Sequence, residues 1–191
     1  MAKLILLDGG EAIRTILAES GEPAMPPMAQ LLGEHLRAEK FTLSQSWEGN
    51  TQRDQFRAQV LKHWNDTALR SKSGRPVDAI LCPVAPTLAA PHGTTRWVGY
   101  TSYWNLLDLP AVVFPSKKPF DASAWESGSK SNSLRDKPLN PIDEFVRAQW
   151  DPKAFDGAPI SLQLVGRRWQ EEKLLGALHH VEDAMVLFDK L

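Results

Sequence analysis

Few side chains in this sequence could act as the nucleophile of an acyl transfer. That reaction requires an activated nucleophile, a base beside it and hydrogen-bond donors for the oxyanion. The sequence contains no G-x-S-x-G turn and no two adjacent serines. Ser127-Gly128-Ser129-Lys130 matches S-x-x-K, a pattern known from serine acyl-transfer enzymes. Because the match lies in a polar stretch with further serines around it, we interpret it as a chance occurrence.

A thiol and a pair of histidines are the other candidates for chemistry. Cys82 could be a nucleophile with His92 as its base, but it ends an apolar run, and buried thiols are usually inert. His179 and His180 are followed by two acidic residues, but adjacent side chains on a helix diverge by about 100°. They therefore favour a solvated helix face over a metal site. The sequence predicts no catalytic residue, no metal site and no cofactor.

Composition and charge exclude several classes of partner. The chain has 22 basic and 23 acidic residues, a formal net charge of -1, and no basic stripe interleaved with aromatic residues, so nucleic acid is not expected to bind. No apolar run approaches the roughly 18 residues of a membrane span. The single cysteine excludes an intrachain disulfide and is typical of a reducing compartment. We therefore expect a cytoplasmic protein that contacts no membrane.

One segment combines flat apolar side chains with hydrogen-bonding groups just before an apolar run. Residues 97–105 supply five candidates for substrate binding: Trp97, Tyr100, Thr101, Trp104 and Asn105. In one interpretation they belong to a helix whose polar side chains only cap neighbouring backbone. In the other they line a pocket, since binding sites are mostly apolar surfaces with a few placed polar groups. The sequence leaves both open.

Helical periodicity predicts helices over residues 10–19, 28–37, 43–69, 141–149 and 170–190. Thr42 and Gln45 have the spacing of a capping box at the start of the third helix. The expected buried stripe of that helix is Trp47, Phe56, Val60 and Trp64. The last helix places Leu174, Leu178, Val181, Met185 and Phe188 on one face, which must pack on another element.

Three short segments are predicted strands: residues 78–82, 111–114 and 159–165. The first two are almost continuously apolar, which suits strands covered on both faces. The third alternates, as a half-covered strand does, and its Gln163 should point away from Leu162 and Leu164. Three or four strands leave a doubly covered sheet with unpaired edges. Partner strands should therefore lie outside these residues or come from a second copy.

The predicted fold class is α/β, a single partial domain with a mixed sheet flanked by helices. Residues 116–140 interrupt it with a stretch rich in Ser, Lys, Asp and Pro, in which Trp125 is the lone tryptophan. Long stretches without secondary structure are uncommon inside compact domains. We therefore expect a polar excursion at about 116–140.

Taken in order, several short segments resemble the C-terminal region of amidase-signature hydrolases. They are Asp78-Ala79-Ile80-Leu81-Cys82-Pro83 with Pro86; Tyr100-Thr101 and Asn105 before Leu109-Pro110-Ala111 and Pro115; and Ala158-Pro159 through Gly166 with Glu171-Glu172 and Leu174-Leu175. Further segments are similar to the fungal acetamidase-type branch, namely Asp8-Gly9-Gly10, Ser20-Gly21-Glu22-Pro23, Trp47 with Arg53, and Trp64. The likeness covers nearly the whole chain except residues 116–140.

The resemblance implies a carboxylic amide hydrolase whose Ser–Ser–Lys triad precedes the region matched here. No residue of this sequence lines up with that triad, so the 191 residues are expected to be inactive alone. In that family the C-terminal strands complete the sheet and wall the substrate cavity, which implies a catalytic N-terminal half as partner, or self-association through open sheet edges. A truncated product, a mis-split gene and one piece of a two-chain enzyme remain open. The alternatives are a non-catalytic binding or scaffolding module and, last, a hydrolase using Cys82.

Overall fold

The computed structural model describes residues 2–33, 40–116, 118–125 and 137–188, which fall into two compact units. The helical unit comprises Met1–Val77, Pro91–Thr95 and Asn105–Leu107. The sheet unit comprises Asp78–Ala90, Arg96–Trp104 and Asp108–Leu191. The α/β fold class is confirmed, while the single partial domain stays a prediction.

The helical unit begins with four helices: α1 (Ala2–Ile5), α2 (Glu11–Ser20), α3 (Pro26–Gly33) and α4 (Leu43–Asp66), the last followed by a 3-10 turn at Thr67–Arg70. The core of this unit is built on buried Leu6 and Leu32, with Ile13, Leu17, Met28 and Leu31 packed around them. Asp8 stabilises the beginning of α2: its carboxylate accepts hydrogen bonds from the N–H groups of Gly10 and Ala12 at 2.8 and 2.9 Å. The helix predicted over 28–37 can be compared with the structure only as far as Gly33, because residues 34–39 lie outside the described residues.

Helix α4 has the predicted capping box. Thr42 accepts a hydrogen bond from the Gln45 N–H, and the Gln45 side chain accepts one from the Thr42 N–H. Trp64 is buried and donates its indole N–H to the Val77 carbonyl at 2.8 Å. The predicted stripe is wrong at Trp47, whose side chain is 63% exposed. Periodicity identifies which residues share a helix face. How much of that face is covered by other elements depends on the rest of the fold.

The sheet unit contains the strands β1 (Ile80–Pro83), β2 (Ala111–Pro115) and β3 (Ser161–Val165) in the order β1-β3-β2. Both pairings are antiparallel, with Gln163 opposite Cys82 of β1 and Val113 of β2. Three further helices follow in chain order: α5 (Gly99–Leu107), α6 (Pro141–Ala148) and α7 (Glu171–Phe188). The register decides which residues share a face, since opposite residues of paired strands point the same way.

Within the described residues, the burial of the three strands differs from the prediction. β1 and β2 were expected to be covered on both faces, yet Leu81 and Val113 are 53% and 54% exposed. β3 was expected to be half covered, yet Gln163, Leu164 and Val165 are all buried. The reason is strand order: β3 lies between the other two, whereas each of those is an edge of the described sheet.

Helix α7 packs on one face of this sheet, as its apolar stripe predicted. Leu174 is buried together with Leu164 and Phe114. The partly buried residues around them are Ala79, Val112, Leu162, Ala177, Leu178, Val181 and Met185. The side chain of Phe188, the last member of the predicted stripe, lies outside the described residues.

The start of the predicted polar excursion is attached to the loop that precedes β3. The Phe120 N–H donates to the Ala158 carbonyl, and the Gly157 N–H donates to the Phe120 carbonyl, both at 2.9 Å. Trp125 is not isolated, because its ring lies 5.2 Å from that of Trp150 and 5.9 Å from that of Phe120. Residues 117 and 126–136, including the S-x-x-K match, lie outside the described residues.

Candidate substrate-cavity wall

The first two turns of α5 hold most of the predicted binding residues. The Trp97 and Tyr100 rings meet edge to face at 5.2 Å, and they are 39% and 37% exposed. The Thr101 hydroxyl donates to the Val98 carbonyl at 3.0 Å, a local bond at the beginning of the helix. Within the sheet unit the structure thus places Trp97, Tyr100, Thr101 and Trp104 on one short stretch of backbone.

Asn105, the fifth predicted residue, is exposed and belongs to the helical unit. It follows Trp104 directly in α5. The structure therefore brings four of the five candidates together in one unit, and their role in binding substrate stays a prediction.

Trp104 turns its polar edge inward. Its indole nitrogen is buried and has no hydrogen-bond partner among the described residues. The neighbouring Tyr103 ring packs edge to face on the indole, with the ring centroids 4.8 Å apart. The Trp104 side chain nevertheless lies close enough to the Cys82 sulfur to favour the thiolate.

Cys82 is not tuned for nucleophilic attack. Burial raises the pKa of its thiol, and contacts with Trp104 and Gln163 offset this only in part. Reactive cysteines have a lowered pKa, because the thiolate is the attacking species. His92, the base considered for it, belongs to the other unit.

Gln163 connects α5 to the sheet. It is 1% exposed, and its side-chain nitrogen donates to the carbonyl of Pro83 at 2.7 Å and to that of Tyr100 at 2.8 Å. Pro83 ends β1, and Tyr100 lies in the first turn of α5. One carboxamide on the central strand thus holds both the neighbouring strand and the helix that carries the candidate residues.

A comparison with protein families identifies the chain. A family model described as Amidase matches residues 7–175. The chain belongs to the amidase family. It is 36% identical to Amidase 1 of Gibberella moniliformis over 180 residues, which cover 94% of this chain and 33% of that protein. It is 32% identical over 177 residues to an acetamidase of Emericella nidulans, covering 91% of this chain and 30% of the relative.

A solved structure has the same fold. A chain of fatty acid amide hydrolase superposes on this amidase-family chain with a TM-score of 0.80 and 28% sequence identity. The superposition covers 96% of this chain and 31% of the other. This chain therefore spans about a third of the length of the relatives and the structure that it matches.

The alternation of β3 predicted on which side of the strand Gln163 lies, but not what it contacts. An amide at an inward position of a strand flanked by apolar residues is a signal, because a buried polar group must find partners. Which carbonyls it meets depends on strand order and on the placement of α5, which pattern alone does not provide.

The last candidates within the described residues are the paired histidines. His179 and His180 are both exposed, as predicted for a solvated face. Within the described ranges no group of three or more His, Cys, Asp or Glu side chains could hold a metal ion. Among the described helices, none has both the length and the apolar character needed to cross a bilayer.

Proposed function

We propose that these residues form the C-terminal part of a carboxylic amide hydrolase, where they supply sheet strands and one wall of the substrate cavity. The observation that carries the proposal is the family match over residues 7–175 of a chain that spans about a third of its relatives. Relatives named amidase and acetamidase make an amide the expected substrate class.

The open sheet supports a partner for this part. In the described sheet β1 and β2 each pair on one side only, with β3 between them. Unpaired strand edges readily accept further strands. The strands that would pair there come from the catalytic part of an amidase, and a second copy of this chain is the alternative.

The exposed surface of α5 supports the cavity wall. Trp97, just before α5, and Tyr100 offer flat apolar area, and the Tyr100 carbonyl accepts a hydrogen bond from Gln163. Ligand pockets combine such area with a few fixed polar groups. Amide recognition by this wall is therefore expected to depend on α5, while the reacting groups come from the catalytic part.

The first prediction is that the 191 residues alone do not hydrolyse amides. Purified protein should turn over acetamide no faster than buffer and should not label with a fluorophosphonate serine probe, because no residue of this sequence lines up with the Ser–Ser–Lys triad that the resemblance implies. The same chain should support hydrolysis when it replaces the matching third of Amidase 1 of Gibberella moniliformis, with the unaltered relative as the positive control.

Two results would count against the proposal. Stoichiometric labelling of a serine in the isolated chain would show that it carries its own nucleophile. A chimera that folds and still fails to hydrolyse any amide that Amidase 1 accepts would favour a non-catalytic binding module.

A further inference from the structure

The buried carboxamide of Gln163 has two hydrogens and two acceptors that match them. Its nitrogen lies 2.7 Å from the Pro83 oxygen and 2.8 Å from the Tyr100 oxygen. A side-chain amide nitrogen carries two donors, so each carbonyl can have its own hydrogen. An apolar side chain of equal size would leave both carbonyls without this donor, which is costly where water is excluded.

The two carbonyls belong to elements that are far apart in sequence. Pro83 ends β1, Tyr100 begins α5 and Gln163 is in the middle of β3. Apolar packing resists separation of two elements but is not directional, whereas a hydrogen bond to one carbonyl fixes how a helix is turned and how far along its axis it sits. The Tyr100 bond therefore fixes the part of α5 that carries the candidate binding residues.

We propose that Gln163 is a positioning residue, which holds the first turns of α5 against the sheet and thereby sets where Tyr100, Thr101 and Trp104 stand in the substrate cavity. This rests on the proposed function of α5 as a cavity wall. Gln163 itself lies beneath the helix and acts on substrate through it. Loss of its two hydrogen bonds should increase local opening of α5 more than it increases opening of the rest of the sheet unit.

Hydrogen exchange in the full 191-residue chain tests this without any need for activity. Gln163→Met keeps the length of the side chain and removes both donors. We expect the amides of Tyr103 and Trp104 to exchange about tenfold faster, as the loss of a hydrogen bond implies. The amides of α7 should stay within about twofold. The control is Gln59→Met, the same change at an exposed position of α4, which should alter neither set.

Gln163→Glu supplies a second variant with a pH-dependent readout. An ionised carboxylate would face two carbonyl oxygens with no hydrogen to donate, whereas the protonated acid can donate to one of them. Burial raises the pKa of such a carboxyl. Cys82, the titratable neighbour across the β1–β3 pair, keeps its proton over this range because its pKa is raised as well. Exchange of α5 relative to α7 should slow as the pH falls from about 8 to about 5.

Uniform acceleration of α5 and α7 in Gln163→Met, or no pH dependence of their ratio in Gln163→Glu, would overturn the positioning role. If Gln163→Met does not fold, the pH comparison decides, because it is made within one protein.

The chimera adds the functional readout. There Gln163→Met should change the ratio of kcat/KM between long and short amides by about threefold or more, and KM more than kcat. An active chimera whose ratio is unchanged would overturn the link from Gln163 to the cavity. An inactive chimera with Gln163 intact would instead count against the proposed function, while the exchange rates still decide whether Gln163 positions α5.

Discussion

The two faces of the β1-β3-β2 sheet differ in the interactions that cover them. On one face, α7 packs Leu174 against Leu164 and Phe114 in a cluster of apolar side chains. On the other, Gln163 donates two hydrogen bonds, one of them to α5, and faces Cys82 across the strand pair. Successive residues of each strand therefore point alternately to the α7 face, which is held by apolar packing, and to the α5 face, where hydrogen bonds fix the position of the helix.

The difference between the two faces suggests that one mainly stabilises the fold and the other mainly positions a helix. Burying a Leu or Phe side chain contributes about 1.5–3 kcal/mol each, and the α7 face buries three such residues. A hydrogen bond contributes a net 0.5–1.5 kcal/mol or so, but its direction is fixed. We expect substitutions on the α7 face to change mainly the free energy of unfolding, and substitutions on the α5 face to change mainly the placement of the helix.

The largest effect is expected at the centre of the α7 face. Leu164→Ala should lower the free energy of unfolding by about 3 kcal/mol, because it leaves a cavity beneath α7. Leu81→Ala is the matched control: Leu81 lies opposite Leu164 in the register, on the same face, but is 53% exposed. It should cost less than about 1 kcal/mol. Urea denaturation followed by circular dichroism measures both, and equal losses would remove the distinction between centre and edge.

A smaller effect is expected on the α5 face, at Cys82. Burial raises the pKa of this thiol, so in strong base the unfolded chain loses the proton first. The contribution of the protonated Cys82 thiol to the free energy of unfolding is therefore fully present below its ordinary pKa of 9.0. It is lost as the pH rises through the higher pKa of the folded state.

Cys82→Ala should remove this part of the decline in stability above pH 9.0 and leave the neutral range unchanged in slope. Thermal unfolding of both proteins between about pH 8 and about pH 10 is the measurement. Parallel curves over that range would show that the thiol is not protected by the fold.

Local pattern predicted the helices of this chain better than its sheet. The capping box at Thr42 and the α7 stripe depend on neighbours within a few turns, and both are present in the described residues. Strand burial depends on which strand is central, a non-local property. The apolar run of β1 therefore predicted a strand covered on both faces, and the alternating pattern of β3 predicted a strand covered on one face.

The candidate site was predictable in part for the same reason. Trp97, Tyr100, Thr101 and Trp104 could be singled out because they crowd into one short segment. The function of Gln163 depends on two carbonyls from other parts of the chain. Trp125 could be singled out by composition, but its packing on Trp150 depends on a loop elsewhere in the chain.

The central claim, that α5 walls the cavity in which an amide is recognised, is tested most directly by Trp104→Ala in the active chimera. The control is Trp169→Ala, since Trp169 is 77% exposed, whereas Trp125 would disturb an aromatic cluster. Rates of hydrolysis are compared over amides of increasing chain length. We predict that Trp104→Ala changes the preference between neighbouring chain lengths by about 1–3 kcal/mol and that Trp169→Ala does not. A lower melting temperature with unchanged substrate ratios would contradict the claim and make Trp104 a packing residue only.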